Sequence, residues 1–272
     1  MQKEQKTALV WFRNDLRIHD NLSLLEAQAR HEKVIALYCF DPRYFDQTQF
    51  GFKKTEKYRA KFLMESVCNL QKSLASLNIS LIVAHDLPEK VIPELIDKYN
   101  VHSLYCQREW TEEEVSVLQK VKDNLPLPIP IVETYDQFLY HPEDCPLAIN
   151  DIPRVFTSFR KSCEKKSQVR PLSPDPKIMV SDNQISGTWP VPSLVQLGLE
   201  DFETDPRSAF PFKGGEDHAI KRIEQYFFVT KKLGYYKKTR NGLLGTDYSS
   251  KLSPWLGCGC ISPRQIYWAV KD

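Results

Sequence analysis

The sequence predicts an α/β protein: a Rossmann-like parallel sheet, then a long proline-rich connector, then a short helical segment. Three observations predict it. Short apolar runs without helical period recur through the first half, helical stripes lie between them, and composition changes near Tyr140. Strands buried on both faces read as continuous apolar runs, whereas helices that cover a sheet are apolar on one stripe only.

The first run is 7–12 (TALVWF), and it is followed by a polar loop. Runs at 34–40 (VIALYCF), 79–84, 103–106 and 129–134 repeat the pattern, each rich in β-branched or aromatic residues. Between them, Leu63, Val67, Leu70, Leu74 and Leu77 fall on one helical stripe. Val91, Leu95 and Tyr99 do the same, with Pro88 suited to the first turn. Thr111 and Glu114 have the spacing of a capping box, and Val115, Leu118, Val121 and Leu125 continue that helix. Strands alternating with helices predict a parallel sheet covered on both faces, over residues 6–138.

Ten of the 18 prolines lie between Pro142 and Pro211. Residues 139–211 are therefore expected to be an interdomain linker that wraps the surface, with one helix near 155–166. Residues 212–272 regain helical pattern. Ile220, Ile223, Tyr226 and Phe227 predict a helix over 216–233, and Ser262-Pro263 predicts the start of another. These helices must pack back on the sheet or against further helices.

A net charge of +2 over 272 residues decides nothing about nucleic acid, which needs a local basic stripe. Seven cysteines, odd in number and without C-x-x-C spacing, argue against a disulfide framework. Cys258 and Cys260 lack the nearby partners of a zinc site, so no metal is expected. The start has no apolar signal region, and no apolar run approaches the ~20 residues of a membrane span. A soluble protein of cytoplasm or nucleus is expected, or of an organelle if a targeting extension precedes these residues.

Glycine-rich phosphate motifs are absent after the first strand, which removes most support for a nicotinamide dehydrogenase. The polar run Arg13 to Asn21 (RNDLRIHDN) still stands at a strand's carboxyl end, where open sheets bind ligands. An internal ion-pair network that fixes the loop is the reading that residue types favour. Glu109 beside Trp110 could hold a flat, amine-bearing ring, or could be a surface acid next to a half-buried tryptophan. The stretch from Tyr235 to Pro254 collects hydroxyls, lysines and glycines on a loop before a helix. It has the composition of a phosphate cradle, and also of an ordinary polar loop.

Taken together, these segments resemble the photolyase/cryptochrome family. VWFRNDLRIHDN (10–21) is similar to its amino-terminal signature, and VIALYCFDP (34–42) to its second strand and turn. FKGGE (212–216) is similar to the opening of its helical domain, and TRNGLLGTDYSSKLSPWLGCGCISPR (239–264) to its flavin-phosphate region. TRNG and YSSKLSPWL are closest to the DASH cryptochromes. The resemblance covers nearly the whole chain and corresponds to the amino-terminal half of such proteins.

The resemblance implies FAD in a helical domain whose first helices occupy 212–272. It also implies an antenna such as methenyltetrahydrofolate on the sheet domain, and light-driven electron transfer from FAD to pyrimidine dimers in DNA, single-stranded DNA being favoured, or light signalling. Tyr236, Ser249, Ser250, Lys251, Leu252 and Ser253 match positions at the FAD phosphates, and Glu109 matches the antenna-binding glutamate. Gly257 departs from the usual alanine. Catalytic residues are not assigned, because the isoalloxazine contacts and tryptophan chain belong to the other half, and these 272 residues alone are expected to be inactive. A stand-alone chromophore- or partner-binding module, or another nucleotide-binding α/β protein, is the alternative.

Overall fold

A computed structural model describes residues 6–271. Strands β1 (Thr7–Phe12), β2 (Lys33–Cys39), β3 (Leu81–Ala84), β4 (Val101–Gln107) and β5 (Ile131–Thr134) pair in parallel, in the order β3-β2-β1-β4-β5. The strands are those the apolar runs predict, with ends displaced by a residue or two. Alternation along β1 sends Ala8, Val10 and Phe12 to one face and Leu9 and Trp11 to the other. Helices α1 (Leu22–Arg30) and α2 (Lys57–Ser76) cover the first face; α3 (Pro88–Tyr99) and α4 (Glu112–Asp123) cover the second. The connection from β3 to β4 crosses to the far side of β1. The topological switch point therefore lies between the carboxyl ends of β1 and β4.

Two local expectations need correction. Helix α1 has no counterpart in the apolar-stripe reading; Asn21 starts it by accepting from the Leu24 N–H at 3.0 Å. The capping box at Thr111 does not form, because Thr111 makes no side-chain cap. The Glu114 carboxylate instead accepts from the Tyr44 hydroxyl at 3.3 Å.

The connector carries α5 (Phe156–Lys166) and three single 3₁₀ turns (Pro142–Asp144, Ile149–Asp151 and Ser181–Asn183), and is otherwise irregular over the sheet unit. Asn183 ties it down. Its side chain pairs with both main-chain groups of Val34, at 2.8 and 3.0 Å, and donates to the Asn78 carbonyl at 2.8 Å. Leu194, Leu197 and Leu199 then enter the core.

Helix α6 (Glu216–Ile223) does not continue regularly to Leu233. Residues 224–229 form a wider turn in which Thr230 N–H bonds back to Gln225 O, and this buries both Tyr226 and Phe227. Short α7 (Tyr236–Thr239), α8 (Ser253–Gly257) and α9 (Pro263–Lys271) follow. These helices pack back on the sheet unit: Trp255 is fully buried against Phe62, Phe210 and Phe212, which joins α8 to α2 and the connector. Ring burial of this kind is worth about 3–5 kcal/mol per side chain. Among the described residues no helix is long and apolar enough to cross a membrane.

Candidate functional site

At the switch point, the run Arg13 to Asn21 forms a clamp and not an open site. Arg17 is buried; it donates to the main-chain carbonyls of Asp20 (3.0 Å), Asp136 (3.2 Å) and Gly259 (2.9 Å). The Asp20 carboxylate binds the Arg264 guanidinium at 2.7 and 3.0 Å and accepts from the Ser262 hydroxyl at 2.5 Å. Arg264 also reaches Asp136 at 3.0 Å, and burial pushes the Asp136 carboxyl up. Glu216, at the start of α6, accepts from the Ile18 and His19 N–H groups and the His19 ring. That contact raises the His19 pKa. Gly259 sits at φ +66°, and a Cβ there would overlap the Asn14 carbonyl oxygen. The internal network is thus the reading that the geometry supports, and it binds the sheet loop to the helical segment.

Asn14 and Glu109 meet beside this clamp, at the ends of β1 and β4. Asn14 Nδ2 donates to Glu109 Oε1 at 3.1 Å, and Gln107 Nε2 donates to the same oxygen at 3.3 Å. Glu109 is only 9% exposed, so it is not a surface acid; burial raises its carboxyl pKa. Trp110 is 45% exposed and packs against Tyr135 and Phe138, with the Arg108 guanidinium over its ring. Buried polar atoms without partners gather nearby: Arg13 Nη1, Gln107 Oε1 and Glu114 Oε2. Arg13 and Glu114 border a cavity of about 100 Å³.

The third group is the loop 246–253. Its organiser is Arg222 of α6, which sequence reasoning did not single out. The buried guanidinium donates to the carbonyls of Thr246 (3.0 Å), Ser249 (3.0 Å) and Ser250 (2.9 Å), and pairs with the Asp247 carboxylate (2.9 Å). Its faces stack on Phe212 and Tyr226. Lys232 bonds the second Asp247 oxygen at 2.8 Å, and Lys232 with Arg222 holds that carboxyl below its ordinary range.

With the loop's carbonyls turned inward to Arg222, its donors are left free. The hydroxyls of Ser249, Ser250 and Ser253 and the N–H groups of Ser250, Lys251 and Leu252 make no hydrogen bond among the described residues. Lys251 adopts a left-handed φ of 61°, and its ammonium lies 3.6 Å from the Tyr248 ring centre. Leu252 is buried and anchors the loop; Tyr236 stands exposed. The site residues matched by resemblance therefore form two groups. One is 249–253, with Tyr236 on the neighbouring α7. The other is Glu109, at the sheet edge.

The sequence model of the DNA photolyase family matches residues 8–177, more than half of the chain. The chain belongs to that family. It is 43% identical over 267 residues to a cryptochrome DASH of Gloeobacter violaceus, covering 98% of this chain and 53% of that protein. The crystal structure of a Synechocystis cryptochrome superposes with a TM-score of 0.91 at 42% identity, over 100% of this chain and 56% of that one. An archaeal photolyase of Sulfolobus tokodaii shares the fold, with a TM-score of 0.74 at 22% identity, over 98% of this chain and 55% of that one. The chain thus spans about half the length of the relatives it matches. These likenesses agree with the DASH resemblance read from the motifs.

Proposed function

We propose that this chain is the half of a blue-light flavoprotein that holds the FAD diphosphate and the antenna. The observation that carries the proposal is the loop 249–253, whose hydroxyl and main-chain donors are unpaired while Arg222 holds the carbonyls of Thr246, Ser249 and Ser250. The residues fit the group: a diphosphate accepts hydrogen bonds only, and it requires such a concave set of donors. Ser249, Ser250 and Ser253 would bond its oxygens, with Lys251 reorienting from Tyr248 to supply charge. Tyr236 would lie beside it. FAD, when bound and reduced, supplies a light-driven electron to a pyrimidine dimer. The chain's own residues would bind and orient the cofactor. The cations Lys237, Lys238 and Arg240, exposed on and beside α7, favour a DNA strand, single-stranded DNA in this reading, as partner.

Glu109 is proposed to hold the amine-bearing ring of methenyltetrahydrofolate. Asn14 and Gln107 already occupy one carboxylate oxygen, and the other is left for the ligand. Domain limits of 6–138, 139–211 and 212–272 remain the division we propose. The buried clamp between Asp20 and Arg264 makes the first and last of these one mechanical unit.

Equilibrium dialysis of the full chain against FAD and against riboflavin tests the cradle. FAD is expected to bind about tenfold tighter than riboflavin, the worth of one or two charge-assisted bonds, and Ser249→Ala/Ser250→Ala narrows that difference. Equal binding of the two flavins, or a variant that prefers FAD as strongly as the parent does, would overturn the reading.

A further inference from the structure

A second, larger cavity adjoins the small one at the sheet edge, with Arg59 and Cys258 lining both. It is a half-open cleft of about 920 Å³ between α2, residues 202–213 and α8. That volume is at the upper end of the ~300–1,000 Å³ typical of small-molecule sites. Its wall is aromatic. Phe62, Phe210 and Phe212 form one side, with ring centres 5.8 and 5.3 Å apart in sequence, and Trp255 lies beneath them. Phe202 packs edge-on against Tyr58 at 4.6 Å on the other side.

Charge in the lining is unequal. Arg59, Lys61, Arg207 and Lys213 face Glu65 and Asp205. Both carboxylates are already engaged, Glu65 by the Gly214 N–H at 2.9 Å and Asp205 by Arg207 at 2.7 Å. Lys61 bonds the Thr204 hydroxyl and stacks on Phe202. Arg59 and Lys213 make no side-chain hydrogen bond or ion pair among the described residues. Aromatic faces with unmatched cations at the rim form a receptor for a flat ring that bears an anion.

We infer that this cavity binds a flat aromatic heterocycle with one anionic group, of mononucleotide size. The ring lies against Phe202 and the Phe210–Phe212 wall, and the anion meets Lys213 and Arg59. The site does not include the diphosphate loop, but the two meet at Phe212, which lines the cavity and carries the Arg222 guanidinium 4.6 Å from its ring centre. An occupant therefore presses on the same ring that positions the loop's organiser.

Fluorescence anisotropy of 1,N6-ethenoadenosine monophosphate titrated with the full chain tests the inference. Binding is expected to saturate at one site per chain, and ethenoadenosine without phosphate binds about tenfold more weakly. Phe202→Ala and Lys213→Ala each weaken the nucleotide about fivefold or more, while their circular dichroism and thermal unfolding match the parent. Ser249→Ala/Ser250→Ala binds it as the parent does. Absence of saturable binding would overturn the inference. So would equal binding of the nucleoside, or loss of binding in the loop variant with retention in both cavity variants.

Discussion

Replacing Arg264 by methionine isolates the clamp between the first loop and the last helix. Arg264 makes three charge-assisted bonds, to Asp20 at 2.7 and 3.0 Å and to Asp136 at 3.0 Å, and all three side chains are buried. Methionine fills comparable volume but leaves Asp20 without its paired cation and Asp136 with only the nearby Arg17 charge. Removal of one partner from a buried ion pair costs about 3–5 kcal/mol. Asp20 keeps bonds from Ser262 Oγ and Ser173 N–H, and Asp136 keeps one from Leu22 N–H, so the lower end of that range applies. Urea unfolding followed by circular dichroism should show a loss of about 3 kcal/mol at neutral pH with an unchanged denaturant slope. The loss should shrink in acid. Burial already raises the Asp136 pKa, and without Arg264 it rises further. A carboxyl whose folded pKa exceeds its unfolded value binds more protons when folded, so stability falls as pH rises through the folded pKa and recovers below it. The triple variant Asp20→Asn/Asp136→Asn/Arg264→Met should regain most of the loss. A single-variant effect below about 1 kcal/mol, or one independent of pH, would refute the clamp.

Further outcomes follow from the same geometry. Gly259→Ala should cost more than about 2 kcal/mol in urea unfolding, because a Cβ at φ +66° meets the Asn14 carbonyl, which is main chain and cannot turn away. Gly257→Ala should stabilise by about 0.5–1 kcal/mol, since Gly257 ends α8 with open space around its Cβ position. Glu109→Gln should leave stability at neutral pH equal or up to about 1 kcal/mol higher, because the amide oxygen keeps both accepted bonds without the desolvated charge. That gain should vanish as pH falls, the Glu109 pKa being raised, while affinity for methenyltetrahydrofolate measured by dialysis drops about tenfold. Blue light with the 272-residue chain, FAD and a reductant should leave pyrimidine dimers in single-stranded DNA intact, and dimer loss would contradict the proposed division of labour.

The sheet was legible because parallel strands buried on both faces leave uninterrupted apolar runs such as TALVWF and VIALYCF. Helix α1 was not, since its leucines crowd the first turn and Glu26, Gln28 and Arg30 alternate with alanine after it. Its signal was Asn21 as cap. The motif Arg13 to Asn21 could not be separated into clamp or ligand site by residue type. Its decisive partners, Glu216 and Arg264, lie 198 and 244 positions from Ile18 and Asp20. Arg222 escaped notice for a related reason. It looks like any helical cation, and most of its partners are main-chain carbonyls, which leave no trace in sequence. The residues 249–253 were found through resemblance, whereas the cause of their arrangement is visible only in the folded chain.

The central claim is that the loop 249–253 receives the FAD diphosphate. Phosphorus-31 resonances of FAD, followed during titration with the full chain, test it most directly. The account predicts that both diphosphate resonances shift and broaden with the parent, and that Ser249→Ala/Ser250→Ala needs about tenfold more chain for the same shift. Diphosphate resonances that ignore the parent chain, or that respond equally to the variant, would contradict it.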